Sequence, residues 1–256
     1  MNKIYIFDVD GTLTPSRQPM TKEFLEFFNG WSKRNSFYLV TGSDLPKMQE
    51  QVQDVILERA DGLFTCCGNQ FWREGNTKQW PTDWKMVYEN KFKVPETLRT
   101  YLGEQLRFSD YPVRAGNHIE DRGSLLNFSV VGRNCNQQER NDYNEYDKLV
   151  SERKGIAKYI KENWSDLDAV IGGQISIDIY PKGNDKSQIL DIIEQERLVQ
   201  PDEVIFIGDG IENKGNDYPL AKLMEETEKQ FGKGEYKWYQ TDGWKQTKEI
   251  LENLSD

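Results

Sequence analysis

The chain opens on an apolar run, Ile4-Tyr5-Ile6-Phe7, that stops at Asp8. A short continuous run of this kind predicts a strand buried on both faces, as in a parallel sheet. Phe24, Phe27, Phe28 and Trp31 recur at helical spacing and predict an amphipathic helix over 21–33, with Thr21 at its start and Glu23 in the first turn. Residues 36–40, Ser-Phe-Tyr-Leu-Val, predict a second strand that runs into Thr41-Gly42-Ser43-Asp44, and a helix begins near Asp44 or Leu45. This alternation predicts a parallel sheet with crossover helices. The rhythm returns late in the chain. A helix starts at Lys186 and runs to about Gln195, a strand over 203–207 ends at Gly208-Asp209, and a strand near 236–240 and a helix at 244–254 follow.

The middle has a different pattern. Residues 125–131 and 174–180 alternate apolar with polar, which predicts antiparallel strands with one wet face. Helical stretches lie at 95–107 and 150–163. The fold class is therefore α/β: a core with a parallel sheet, built from 1–81 and 183–256, interrupted by an α+β insert at 82–182 with an antiparallel sheet.

Composition narrows the function. The 256 residues carry 33 Lys+Arg against 43 Asp+Glu, a net charge of −10 that opposes nucleic acid and anionic membrane. Twelve Phe, 12 Tyr and 7 Trp exclude a disordered chain. No apolar run is long enough to cross a membrane, and no signal-peptide core precedes the first strand, so a cytoplasmic protein is expected. Cys66, Cys67 and Cys135 form neither a disulfide framework nor a C-x-x-C zinc pair. The vicinal pair reads as buried at a strand end, and Trp72, Trp80 and Trp84 as packing at a domain junction. With His118 the only histidine, a Ser-His-Asp triad and a two-His metal site are set aside, and catalysis falls to carboxylates.

In an open α/β sheet, ligands bind beyond the carboxyl ends of the strands. Three strands end there in chemistry: Asp8-Val9-Asp10-Gly11-Thr12, Thr41-Gly42-Ser43, and Gly208-Asp209 followed by Gly215-Asn216-Asp217. Acids converging on one edge repel one another unless a cation sits among them. Oxygen ligands without His or Cys suit Mg²⁺. Asp8 is placed to act as nucleophile and Asp10, one bend further on, as general acid/base. Lys186 adds a fixed positive charge, and Thr41, Gly42 and Ser43 offer hydroxyls and N–H groups to a phosphoryl group near a helix N-terminus. A calcium loop is excluded, because its twelfth position is Pro19 and not Glu. The set fits phosphoryl transfer through an aspartyl-phosphate. The insert is locally rich in arginine (Arg114, Arg122, Arg133, Arg140), whose planar forks match phosphate. A mutase needs a second phosphate site of this kind, whereas a phosphatase does not. Ser176 and Asp178 lie on one face of a strand and are placed to read sugar hydroxyls.

These signals, in this order, resemble the haloacid dehalogenase superfamily of capped phosphotransferases. Asp8-Val9-Asp10-Gly11-Thr12-Leu13-Thr14-Pro15 with Arg17 is similar to the opening of the eukaryotic-type phosphomannomutases. The run from Arg122 through Asn127, Gly132 and Arg133 to Arg140 resembles that family's cap signature. Gly172 to Asp178, continuing to Lys186, and Gly208-Asp209 to Asp217 resemble its remaining blocks. The resemblance implies a haloacid-dehalogenase-like Rossmannoid core and a cap, with Asp8 as phosphorylated nucleophile and Asp10 as acid/base. It implies Mg²⁺ at Asp8, Asp10, Asp209 and Asp217, and sugar phosphate at Arg17, Arg122, Arg133, Arg140, Ser176 and Asp178. It further implies interconversion of mannose 6-phosphate and mannose 1-phosphate, with a hexose 1,6-bisphosphate as activator, feeding GDP-mannose synthesis, and a homodimer through the cap. Thr41, where the family more often carries glycine, keeps a Mg²⁺-dependent sugar-phosphate phosphatase of the same fold as the alternative. Either Thr41 or Ser43 would contact the phosphoryl group.

Overall fold

The structure is a computed structural model, which describes residues 3–75, 83–196, 201–212, 214–232 and 235–254. The chain divides into two compact units, one of 1–89 with 185–256 and one of 90–184.

The first unit holds strands β1 (Lys3–Asp8), β2 (Ser36–Val40), β3 (Gly62–Thr65), β4 (Gln70–Glu74), β5 (Trp84–Glu89), β10 (Glu203–Gly208) and β11 (Tyr236–Gln240). They form one sheet in the order β11-β10-β1-β2-β3-β4-β5. The five strands from β11 to β3 pair in parallel, and β4 and β5 add antiparallel at the edge. Period-two alternation sorts each central strand onto two cores. Tyr5, Phe7, Phe37, Leu39, Ile205 and Ile207 enter one, which also takes Phe24, Phe28 and Trp31 of α1 (Lys22–Trp31). Ile4, Ile6, Tyr38, Val40, Val204 and Phe206 enter the other, with Leu190 and Ile193 of α7 (Ile189–Glu196) and Leu220 of α8 (Tyr218–Phe231). The remaining helices of this unit are α2 (Leu45–Gln51), α3 (Asp54–Leu57) and α9 (Trp244–Asn253).

Local chemistry sets the helix starts. Thr21 accepts the Phe24 N–H and caps α1, and Asp44 accepts the Lys47 N–H and caps α2. Lys186 begins a 3-10 turn, not the α-helix itself, because the Asp185 carboxylate caps Ser187 N–H before α7 starts at Ile189. Successive connections move from β1 toward β3 on one side, and β10 and β11 lie on the other. The chain direction thus switches beside β1, and the crevice at the carboxyl ends of β1 and β10 is where such sheets bind ligands.

The second unit is a four-stranded antiparallel sheet, β6 (Ile119–Asp121), β7 (Leu126–Phe128), β9 (Ser176–Pro181) and β8 (Leu167–Gly172), in that order. Helices α4 (Glu96–Phe108), α5 (Gln137–Val150) and α6 (Glu152–Asn163) complete it. Leu126, Phe128, Ile177 and Ile179 share a core with Leu98, Leu102, Tyr143, Ile156 and Ile160.

Three sequence expectations are corrected. The first unit extends to Glu89, past the expected boundary at 81, because β5 pairs with β4. The strand expected over 125–131 shortens to Leu126–Phe128, and the chain beyond it bends at Gly132, which takes a φ of +91°. Helix α5 was not anticipated: it buries Arg140, Tyr143 and Asp147, so no apolar period marks it. Trp72 and Trp84 pack against the first core, and Trp80 lies outside the described residues. Cys66 and Cys67 are buried directly after β3. No helix among the described residues is long and apolar enough to cross a membrane.

Phe28 meets Phe7, Phe24, Trp31 and Phe37 with ring centroids 5.1–5.6 Å apart. Phe28→Ala should therefore lower stability to urea by about 3–5 kcal/mol. Phe108→Ala, at a ring that is 70% exposed, should change it by less than about 0.5 kcal/mol.

Candidate active site

The registers of β1, β2 and β10 decide what meets at the crevice. Asp8 pairs with Val40, so Thr41 follows directly beside it, and Phe7 pairs with Ile207, which brings Gly208 and Asp209 to the other flank. After Asp8 the chain makes a tight turn: the Val9 carbonyl accepts N–H groups from Thr12, Leu13 and Thr14. Gly11 has φ +82°, and a methyl group there would collide with the Asp209 carboxylate. Gly208 leaves room in the same way, since a methyl group would stand 2.6 Å from Asp217 Oδ2.

At the centre is Lys186, fully buried. Its Nζ donates to Asp8 Oδ1 and to Asp217 Oδ1, each at 2.6 Å. Thr12 Oγ1 donates to Asp8 Oδ2 at 3.2 Å, and Gly210 N–H to Asp217 Oδ2 at 2.8 Å. Both carboxylates are thus held at both oxygens. Carboxylate oxygens of Asp8, Asp209 and Asp217 lie within 4.8 Å of one another. With all three acids ionised, one lysine leaves this group two charges short of neutral. Oxygen-only donors around a residual negative charge fit a hard divalent cation.

Burial raises the Asp8 pKa to about 7; Lys186 opposes the rise, while Asp217 and Asp10 add to it. Asp209 is pushed up to about 9, by burial first and then by the charges of Asp8 and Asp217. Burial works against the charge on Lys186, but Asp217 and Asp8 outweigh it and hold the ammonium above its ordinary range.

Asp10 stands apart from the three acids. It was counted with the metal ligands from sequence, but its Oδ1 accepts the Arg17 backbone N–H at 2.5 Å and the Gln51 amide at 2.9 Å, and its carboxylate is not in the 4.8 Å group. Arg17, with φ +57°, contributes its backbone here. Thr41 Oγ1 accepts the Ser43 N–H at 3.1 Å, and the 41–43 loop is pinned by Cys67 N–H to the Thr41 carbonyl and Cys66 N–H to the Ser43 carbonyl. Gly42 sits between them in this loop. A cavity of about 900 Å³ reaches Gly11 and Asp209, with Thr14, Gln240, Trp244 and Lys245 also on its walls.

In the second unit the structure joins Arg122, Arg133 and Ser176. Arg122 donates to Glu120 Oε2 through Nε at 3.0 Å, Arg133 Nε stands 3.5 Å from the same oxygen, and Arg133 donates to Ser176 Oγ at 2.9 Å. Asp178 Oδ1 accepts from Asn127 Nδ2 at 2.6 Å across the β7–β9 pair. Arg140 is buried on the first turn of α5, where its charge acts on the Cys135 thiol. His118 faces the Ser129 carbonyl through Nδ1.

Sequence reasoning missed Gln51, Thr12, Glu120 and the buried pair Asp147–Arg153. Arg153 binds Asp147 at 2.8 Å and donates to the carbonyls of Gly173 and Ser176, which fixes the turn between β8 and β9. No spacing rule reveals these, since each acts through a partner chosen by the fold. The xxDxDGT opening carries Thr12, but not the reason for it.

The acid cluster sets a pH dependence. In protein kept metal-free by a chelator, the native state keeps protons on Asp8 and Asp209 that the unfolded chain has already lost. This contribution to stability is complete below about pH 4 and is lost as pH rises through about 7 to 9. Thermal unfolding in chelator should show a melting temperature that declines from pH 6 to pH 9, and Asp209→Asn should flatten that decline.

Comparison with known proteins identifies the family. The family model for the eukaryotic phosphomannomutases matches residues 24–238. A phosphomannomutase of Galdieria sulphuraria is 37% identical over 218 residues, covering 84% of this chain and 83% of that protein. Among solved structures, an IMP-bound Plasmodium falciparum IMP-nucleotidase superposes with a TM-score of 0.65 at 18% identity, covering 99% of this chain and 68% of that one. A haloacid dehalogenase-like hydrolase of Bacteroides thetaiotaomicron gives 0.58 at 16% identity, covering 99% and 100%. The structural likenesses establish a haloacid-dehalogenase-like fold, and the sequence matches establish that the chain belongs to the eukaryotic phosphomannomutase family.

Proposed function

We propose that this enzyme is a phosphomannomutase, interconverting mannose 6-phosphate and mannose 1-phosphate through a phosphorylated Asp8 primed by a hexose 1,6-bisphosphate. The observation that carries the reading, beside family membership, is the presence of two kinds of anion machinery. The first unit has Asp8 with Lys186. The second has Arg122 and Arg133 gathered on Glu120 and Ser176. A mutase needs both kinds, whereas a phosphatase needs only the first.

In this reading Asp8 attacks phosphorus and Lys186 holds the carboxylate in place while opposing the negative charge of the phosphoryl oxygens. Thr41, Gly42 and Ser43 donate to those oxygens. Asp10 protonates the departing sugar oxygen, then takes the proton back when the sugar rebinds by its other end. Arg17, Arg122, Arg133 and Arg140 bind the phosphate that is not reacting, and Ser176 and Asp178 read the sugar hydroxyls. Residues 90–184 act as the specificity cap. Mg²⁺ held by Asp8, Asp209 and Asp217 supplies further positive charge against the transferred group when bound. A homodimer through the cap, a cytoplasmic site of action and a product feeding GDP-mannose synthesis belong to the same reading.

Phosphorus NMR tests it. With Mg²⁺, mannose 1-phosphate and catalytic glucose 1,6-bisphosphate, a mannose 6-phosphate signal should grow and should depend on the bisphosphate. Inorganic phosphate alone would instead make the chain a phosphatase that uses the Thr41 hydroxyl. Arg133→Ala should lower kcat/KM by about tenfold to a hundredfold, the value of one charge-assisted phosphate contact. Mg²⁺ should raise the melting temperature more at pH 9 than at pH 6, because at the lower pH it must displace protons from Asp8 and Asp209.

A further inference from the structure

Gln51 ends α2 with its side chain buried, 1% exposed. Its Nε2 donates to Asp10 Oδ1 at 2.9 Å and to Thr14 Oγ1 at 3.2 Å. Thr14 Oγ1 itself donates to the Val9 carbonyl at 3.2 Å, which ties this network to the turn after Asp8. The Gln51 backbone carbonyl accepts Met20 N–H at 2.8 Å, so the helix end is anchored to the segment that follows Arg17. With Asp10 ionised, the reverse orientation would set the amide carbonyl against the carboxylate.

The other end of the same amide is unusual. Gln51 Oε1 is buried and has no hydrogen-bond partner among the described residues. An unsatisfied buried carbonyl opposes folding, and an apolar side chain of similar volume would avoid that cost. What the amide does provide is a second N–H on Asp10 Oδ1, beside that of Arg17. With Oδ1 engaged by two donors, the proton of the acid form is carried on Oδ2.

We infer that Gln51 is a positioning residue for the general acid/base: it holds Asp10 so that Oδ2, and not Oδ1, exchanges the proton with the substrate oxygen. The inference rests on the phosphoryl-transfer reading of Asp8 and Asp10. In the step concerned, the bond from phosphorus to the leaving oxygen breaks as the bond to Asp8 forms. The proton on Asp10 Oδ2 passes to the departing oxygen, which leaves as the alcohol, and Asp10 remains as carboxylate. Without Gln51 the carboxyl group loses one of the two donors on Oδ1, and the proton is no longer confined to Oδ2.

Leaving groups of different acidity expose such a role. Phenol needs a proton to depart, whereas 2,4-dinitrophenol, a far stronger acid, does not. Gln51→Met keeps the volume and removes the unsatisfied carbonyl, so its melting temperature should equal or exceed that of the wild type. Release of phenol from phenyl phosphate should slow by about tenfold to a hundredfold, a part of what a general acid contributes, while release from 2,4-dinitrophenyl phosphate changes by less than about threefold. Adding Gln51→Met to Asp10→Asn should cause no further loss with phenyl phosphate. Equal losses with both esters, or no loss with either, would overturn the inference and leave the transfer reading intact. Absence of any phosphoryl group on Asp8 after incubation with a hexose 1,6-bisphosphate would overturn the transfer reading, and the inference with it.

Discussion

The site depends on one ammonium group. Lys186 is fully buried and bonded to Asp8 and Asp217, so these two acids share one counter-charge away from water. Breaking such a pair from one side leaves an unpaired buried charge, at a cost of about 3–5 kcal/mol. The arrangement therefore commits the whole first unit. Asp8 must end β1, Asp217 must stand at the start of α8, and the turn capped by Asp185 must deliver the lysine between them. The parallel registers of β1 with β2 and β10 then follow as requirements and not as background.

The same crowding explains the glycines that face the acids. At Gly11 and Gly208 any side chain would displace Asp209 or Asp217. Carboxylates packed this closely raise one another's pKa, and a bound cation relieves the repulsion that burial creates. The second unit handles charge differently. Arg122 and Arg133 share Glu120, and Arg153 pairs with Asp147, so these arginines are oriented by carboxylates.

Much of the first unit was legible in the sequence, because its strands are unbroken apolar runs and its helices start at readable caps such as Thr21 and Asp44. Asp8 and Asp209 were legible as acids at the ends of apolar runs, and the structure brings them together with Lys186 and Asp217. Their mutual bonding was not legible, since Lys186 and Asp217 meet only through the fold. Helix α5 escaped notice because its buried face carries Arg140, Tyr143 and Asp147 in place of an apolar stripe. The edge strand β5 was assigned to the wrong unit because its exposed Met86 and Val87 give it no core pattern. Gln51 had no signal at all: a glutamine at a helix end reads as a solvated residue until the structure buries it against Asp10.

The central claim is that Asp8 becomes phosphorylated in a site where Lys186 supplies the buried counter-charge. It is tested most directly by mixing the enzyme with Mg²⁺ and a radiolabelled hexose 1,6-bisphosphate, quenching in acid, and mapping the label. The account predicts a hydroxylamine-labile phosphoryl group on the peptide containing Asp8, absent from Asp8→Asn. Isomerised sugar phosphate formed with no covalent label, or with the label on another residue, would contradict it.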